Sequence, residues 1–229
     1  MSYLQHLDGF RGIVRLFPLP NFVMMPHVLK GFHIFEPRYR ELVEHALQGD
    51  KLIGLILPRE GWEKNYDGSF GIHPRGCLTV IHEHERLEDG RFNLILRGLC
   101  RMELEHELLT STLYRQAKVK LLPDAPMLED RKLRDQLEAE VLPWLSVDGE
   151  GREQFQSLMH SAAPMGTIVD VVSFALPIPV EWKQELLEKL DVAERVHKLC
   201  DFLRSVKPFQ IPDEFPSSAR RQPPDFSKN

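Results

Sequence analysis

The spacing of apolar positions changes partway along the chain. From about Val14 to Leu122 they come in short runs separated by turn residues, and from Leu128 to Val206 they recur at helical spacing almost throughout. In the first half, "KLIGLIL" (51–57), "CLTVI" (77–81) and "FNLILRG" (92–98) are β-type runs. "LEDGRF" (87–92) joins the last two through an Asp-Gly turn, which predicts a hairpin. In "RMELEHEL" (101–108) Met102, Leu104, His106 and Leu108 alternate with Arg101, Glu103, Glu105 and Glu107, the period-two pattern of a strand with one wet face. "QAKVKLL" (116–122) adds another strand. One helix interrupts these runs. Pro37 disfavours helical geometry at Glu36 but suits a first helical position, and Tyr39, Leu42, Val43, Ala46 and Leu47 then share one face up to the stop at Gly49. Short, mostly antiparallel strands with one early helix predict a small, curled, barrel-like sheet.

The second half predicts a helical bundle. Leu133, Leu137 and Val141 form one apolar stripe ending near Pro143; Phe155, Leu158 and Met159 form a shorter one; Ile168, Val169, Val172 and Leu176 form a third. "PVEWKQELLEKLDVAERVHKLCDFLRSV" (179–206) divides into two helices, with Asp191 capping the second and Val196, Leu199, Leu203 and Val206 on its inner face. After Lys207 five prolines among polar residues predict a mobile tail.

Composition narrows the class without choosing a function. At 229 residues and 42% hydrophobic, the chain has enough apolar surface for a core. Cys77, Cys100 and Cys200 lie far apart without a C-x-x-C pair, as expected of free thiols in a reducing compartment. Residues 1–20 lack a signal-peptide apolar region and no run is long enough to span a bilayer, so a cytoplasmic protein without membrane contact is expected. A formal charge of -5, with basic residues interspersed among acids, argues against nucleic acid as a partner.

No catalytic constellation emerges. There is no G-x-S-x-G elbow, no activating base beside a cysteine, and no carboxylate pair outside charged helical segments, so no catalytic residue is assigned. Glu36, Arg38 and Arg40 mark a strand-to-helix corner, with Glu36 at the positive helix end and the arginines turned elsewhere or paired with Glu41 and Glu44. The one competing signal is "GCLTVIHEHERLEDG" (76–90), where Gly76, His82, His84 and Glu88 reproduce half of the cupin metal motif. The closing glycine falls instead at Ile95 and no second half follows, so solvent-facing histidines are the simpler account and no cofactor or metal is expected.

Four segments together resemble the N-terminal domain of the ATP-dependent Lon proteases, the LON domain. They are "LFPLPNFVMMP" (16–26), "HIFEPRYRELVEHAL" (33–47), the paired runs around "LEDGRF" and "RGLCRMELEHE", and "LPIPVEWKQELLEKLDVAERVHKLCDFL" (176–203). "VLKGFH" (28–33) departs from the family, which carries an apolar residue and proline where Lys30 and Gly31 stand. The resemblance implies an α+β fold: a PUA-like antiparallel β-barrel subdomain with an inserted helix over 12–122, a helical bundle over 126–206, and the Pro-rich tail over 207–229. It also implies a non-catalytic polypeptide-binding module, because neither a G-x-x-x-x-G-K-[ST] loop nor a Ser-Lys peptidase module accompanies it. The implied partner is unfolded polypeptide or a protease or chaperone that handles it; relatives also use the domain as a scaffold in ubiquitin-ligase receptors. The alternatives are a metal-dependent enzyme through His82 and His84, or RNA binding through the PUA-like barrel.

Candidate contact residues follow from exposure and adaptability. Phe22, Met24 and Met25 lie in the apolar stretch "NFVMMPHVLKGF" (21–32), whose alternative role is a first core strand. Trp62 and Tyr66 lie in the long polar loop 58–71, where aromatic side chains suit a partner anchor.

Overall fold

The structure is a computed structural model describing residues 7, 9–65, 70–127, 130–145 and 149–206. The chain divides into two compact units between Leu122 and Pro123. The first contains β1 (Ile13–Pro18), β2 (Leu29–Ile34), α1 (Pro37–Gln48), β3 (Leu52–Ile56), β4 (Arg75–Arg86), β5 (Phe92–Leu108) and β6 (Gln116–Leu122). Its strands run in the order β2-β5-β4-β3-β1-β6, and a further pairing of β5 with β6 curls the sheet back on itself. Among the described residues strand β2 pairs only with β5 and stays outside the ring, so the barrel is not a regular closed one.

The sheet is mixed. β1 and β3 are parallel and the remaining pairs antiparallel, because β2 and α1 intervene between β1 and β3 and return the chain in the same direction. The expected hairpin joins β4 to β5: Gly90 has φ +82° and its N–H donates to the Leu87 carbonyl at 2.9 Å. The two runs expected at 92–98 and 101–108 form one continuous strand of 17 residues. The expected alternation does not hold along its second part. Arg101 is only 2% exposed, and Glu105, His106 and Glu107 are all exposed where a register shift between Leu104 and His106 interrupts the period of two. Val14, Leu16, Leu52, Leu78, Val80, Met102 and Val119 form the core of the curl.

Pro37 opens α1 after an extended Glu36, and Tyr39, Leu42, Val43 and Ala46 are buried on its inner face. Arg38 pairs back with Glu36 at 2.9 Å, while Glu44 accepts from Arg86 of β4 at 3.0 Å. These charges secure the corner and the outer side of the helix.

The second unit holds α2 (Arg131–Val141), α3 (Glu150–Met159), α4 (Met165–Ala175), α5 (Val180–Glu188) and α6 (Val192–Ser205). Most of the predicted stripe residues are inside: Leu133, Leu137 and Val141; Phe155 and Met159; Ile168, Val169, Val172 and Leu176; Val196, Leu199 and Leu203; Leu158 and Val206 are only half-buried. Asp191 caps α6 by accepting from the Glu194 N–H at 3.0 Å. Arg134 donates to the carbonyls of Met159, Ser161 and Ala163 at 2.6, 3.2 and 3.0 Å, satisfying acceptors at and beyond the C-terminus of α3.

Arg195 of α6 is fully buried and reaches Asp124 at 2.6 Å and Asp170 of α4 at 3.2 Å. Gly166 makes room for the cluster, since a Cβ there would run into the Asp124 carboxylate. The expected tail, 207–229, lies outside the described residues.

Because removing one partner strands a buried charge, Asp170→Ala should lower the unfolding free energy by about 3 kcal/mol, measured by urea denaturation. An Arg195→Met, Asp170→Leu pair should recover most of that. A loss below about 1 kcal/mol in the single variant would put the cluster with surface ion pairs.

Candidate functional site

The histidine cluster does not assemble. His82, His84 and Glu88 are exposed, and a register shift between Ile81 and Glu83 breaks the strand alternation on which a shared imidazole face depends. Among the described residues no three His, Cys, Asp or Glu side chains converge to hold a metal ion. The metal reading is therefore not supported.

The thiols are equally remote from chemistry. Cys77, Cys100 and Cys200 are free and buried. Burial pushes Cys100 and Cys200 up to about 11 each, the direction opposite to that of a nucleophilic cysteine.

The sequence-derived contact residues separate on burial. Met24 and Met25 are 1% and 0% exposed, so in this conformation they offer no surface to a partner. They lie in a non-strand segment between β1 and β2 and not in a first core strand. Trp62 is half-buried in a short 3₁₀ turn (Trp62–Asn65), edge-on to Phe70 with ring centroids 6.5 Å apart, and packs against the core. Tyr66 lies outside the described residues. Phe22 is half-buried and meets Phe32 of β2 edge-on at 5.3 Å.

That contact leads to apolar surface the sequence did not single out. Leu29 opens β2 at 53% exposure, and Phe35, immediately beyond its end, is 52% exposed and stacked on His33 at 6.2 Å. The β2–β5 register puts Leu29, Gly31 and His33 opposite Arg97, Ile95 and Asn93 on one face, and Lys30, Phe32 and Ile34 opposite Leu96, Leu94 and Phe92 on the other. Ile34, Phe92, Leu94 and Leu96 are buried, and Phe32 leans on Phe17 and Phe22, so this second face looks into the core. The first face is open and partly polar. His33 Nδ1 sits 2.9 Å from Asn93 Oδ1, its Nε2 lies 3.2 Å from Arg91 Nη1, and Asn93 donates to Glu85 at 2.9 Å. With Nδ1 as the donor, the His33 ring donates to Asn93 and accepts from Arg91.

Leu29 and Phe35 escape sequence reasoning because an apolar residue in a β run is ordinarily buried. The available signal was Phe35 itself, a large aromatic at the corner before Pro37, where regular pairing has to stop.

The fold and this site define a curled mixed sheet with an open apolar edge strand, followed in sequence by a helical unit. A family model described as the ATP-dependent protease La (LON) substrate-binding domain matches residues 13–205, and the chain belongs to that family. It is 22% identical over 193 residues to the Lon protease of Desulfosudis oleivorans, covering 84% of this chain and 24% of that protein. It is 29% identical over 192 residues to the Lon protease of Paraburkholderia phytofirmans, covering 81% and 23% respectively. The chain spans about a quarter of the length of these curated relatives. Among solved structures, the N-terminal domain of the Mycobacterium avium complex Lon protease aligns with a TM-score of 0.66 at 16% identity, over 84% of this chain and 98% of that one. A Lon N-terminal domain protein from Xanthomonas campestris aligns with a TM-score of 0.61 at 21% identity, over 83% and 98%. These likenesses establish the fold. No helix among the described residues is long and apolar enough to cross a membrane.

Buried, weakly acidic thiols should resist modification. A colorimetric disulfide reagent at neutral pH is expected to titrate none of Cys77, Cys100 and Cys200 in the native protein and all of them in denaturant; fast native labelling of Cys100 or Cys200 would contradict their placement.

Proposed function

We propose that this protein recognises polypeptide without catalysis, holding unfolded or extended segments for itself or for a protease or chaperone partner. The observation that carries the reading is the apolar surface at β2, where Leu29 at the start of the strand and Phe35 just beyond its end stand in solvent, while half-buried Phe32, with Phe22 against it, lies on the opposite face. Large apolar groups held in solvent lose free energy there, and two of them at the ends of one short edge strand suit contact with an apolar partner. Membership of a family described by substrate binding supports the same conclusion.

In this proposal residues 12–122 make the contact, with Phe22 retained from the sequence-derived candidates and Met24 and Met25 supporting the surface from beneath. Trp62 and Tyr66 are secondary contacts on the loop 58–71. The helical subdomain over 126–206 and the tail over 207–229 complete the organisation. A cytoplasmic setting is supported by the free thiols, which a reducing compartment preserves.

The test is retention of a permanently unfolded protein, reduced and carboxymethylated lactalbumin, on the immobilised chain, with folded lactalbumin as control. Retention at micromolar concentration is expected for the unfolded form alone. A Leu29→Ser, Phe35→Ser variant should lose about tenfold or more in affinity with little change in melting temperature, because both side chains are already exposed. No retention by the unaltered chain would overturn the proposal.

A further inference from the structure

The free edge of β2 specifies how a polypeptide would be held. The Gly98 N–H donates to the Val28 carbonyl at 2.9 Å, so Val28 faces β5. In an antiparallel ladder, residues alternate between facing the partner and facing away. Lys30, Phe32 and Ile34 therefore bond to β5, while Leu29 and Gly31 direct N–H and C=O outward. β2 is the last strand in the order, with no neighbouring strand on that side among the described residues. Exposed edges are commonly blunted by proline, a bulge or a charge. Between Leu29 and Ile34 there is no proline, the pairing with β5 is unbroken, and the only blunting charge is Lys30.

Charge selects the occupant. Lys30 is exposed and, among the described residues, has no acidic partner. The strand itself, LKGFHI, carries a cation and no carboxylate, so a second β2 would bring lysines together without compensation. Resting on the polypeptide-recognition proposal, we infer that the outward edge of β2 takes up an extended polypeptide segment as a further strand, with acidic residues on the face that carries Lys30 and apolar residues on the opposite face, which carries Leu29. Backbone bonds at Leu29 and Gly31 then supply sequence-tolerant affinity, and the side chains supply the preference.

The probe is a labelled peptide of alternating valine and glutamate, followed by fluorescence anisotropy with the full chain. Gly31→Pro removes one outward N–H at a position where an edge strand tolerates proline, and Gly31→Ala keeps that N–H. Binding is expected for the unaltered chain and for Gly31→Ala, with a loss of about tenfold in Gly31→Pro. The same peptide N-methylated at alternate residues, with charge and side chains preserved, should also bind about tenfold more weakly, an arm that holds even if Gly31→Pro does not fold. Lys30→Glu should weaken this peptide and favour a valine-lysine counterpart. Equal affinity for methylated and unmethylated peptides, or no binding of the valine-glutamate peptide, overturns the inference. Retained unfolded lactalbumin in that case leaves the recognition proposal standing, whereas loss of both removes it as well. Dimerisation abolished by Gly31→Pro, with no peptide bound, would assign the edge to a second copy and likewise overturn the inference.

Discussion

Strand β5 pairs with β2 and β4 over its first part and with β4 and β6 over its second, so three ladders depend on one 17-residue segment. Such a strand cannot remain flat while the sheet curls. The register shifts on the β4–β5 and β5–β6 ladders are where the extra twist is absorbed. Gly98 has a specific part in this arrangement. A Cβ at that position would collide with the Met25 carbonyl, and both backbone groups of Gly98 bond to the segment that leads into β2. The placement of β2, and with it the open apolar edge, follows from β5 leaving room at one residue.

The second unit is organised around an electrostatic constraint. Burying a guanidinium is costly unless carboxylates meet it, and Asp124 and Asp170 do so from two different parts of the unit. Apolar stripes can slide past one another with modest loss, but a buried ion cluster accepts one arrangement. Arg195, Asp170 and the space left at Gly166 thus fix the alignment of α6 with α4. Among the stripe residues named from spacing, those at the helix centres are the buried ones, which is why periodicity located the helices well. It had no means of finding Arg195, whose charge reads as solvent-facing until its partners are known.

The candidate site was legible in a graded way. Phe22 was named from the sequence and is half-buried at the β2 surface, whereas the adjacent Met24 and Met25 are interior. Apolarity is the same in all three, and only the path of the chain separates them. His82 and His84 illustrate the converse: alternation suggested a shared face, and a bulge that no local preference announces dissolved it.

Local preference and period determined the elements themselves: Pro37 and Gly49 bound α1, the Asp-Gly turn joins β4 to β5, Asp191 caps α6, and the change in apolar spacing separates strands from helices. These depend on interactions within a few residues, so they can be read from the chain. Only the tertiary structure decided that β1 and β3 run parallel, that Arg101 and Arg195 are buried, and that β2 stands at the end of the strand order. Each of those depends on contacts between residues distant in sequence, whose geometry is set by packing and by which backbone groups find partners, and no local pattern encodes it.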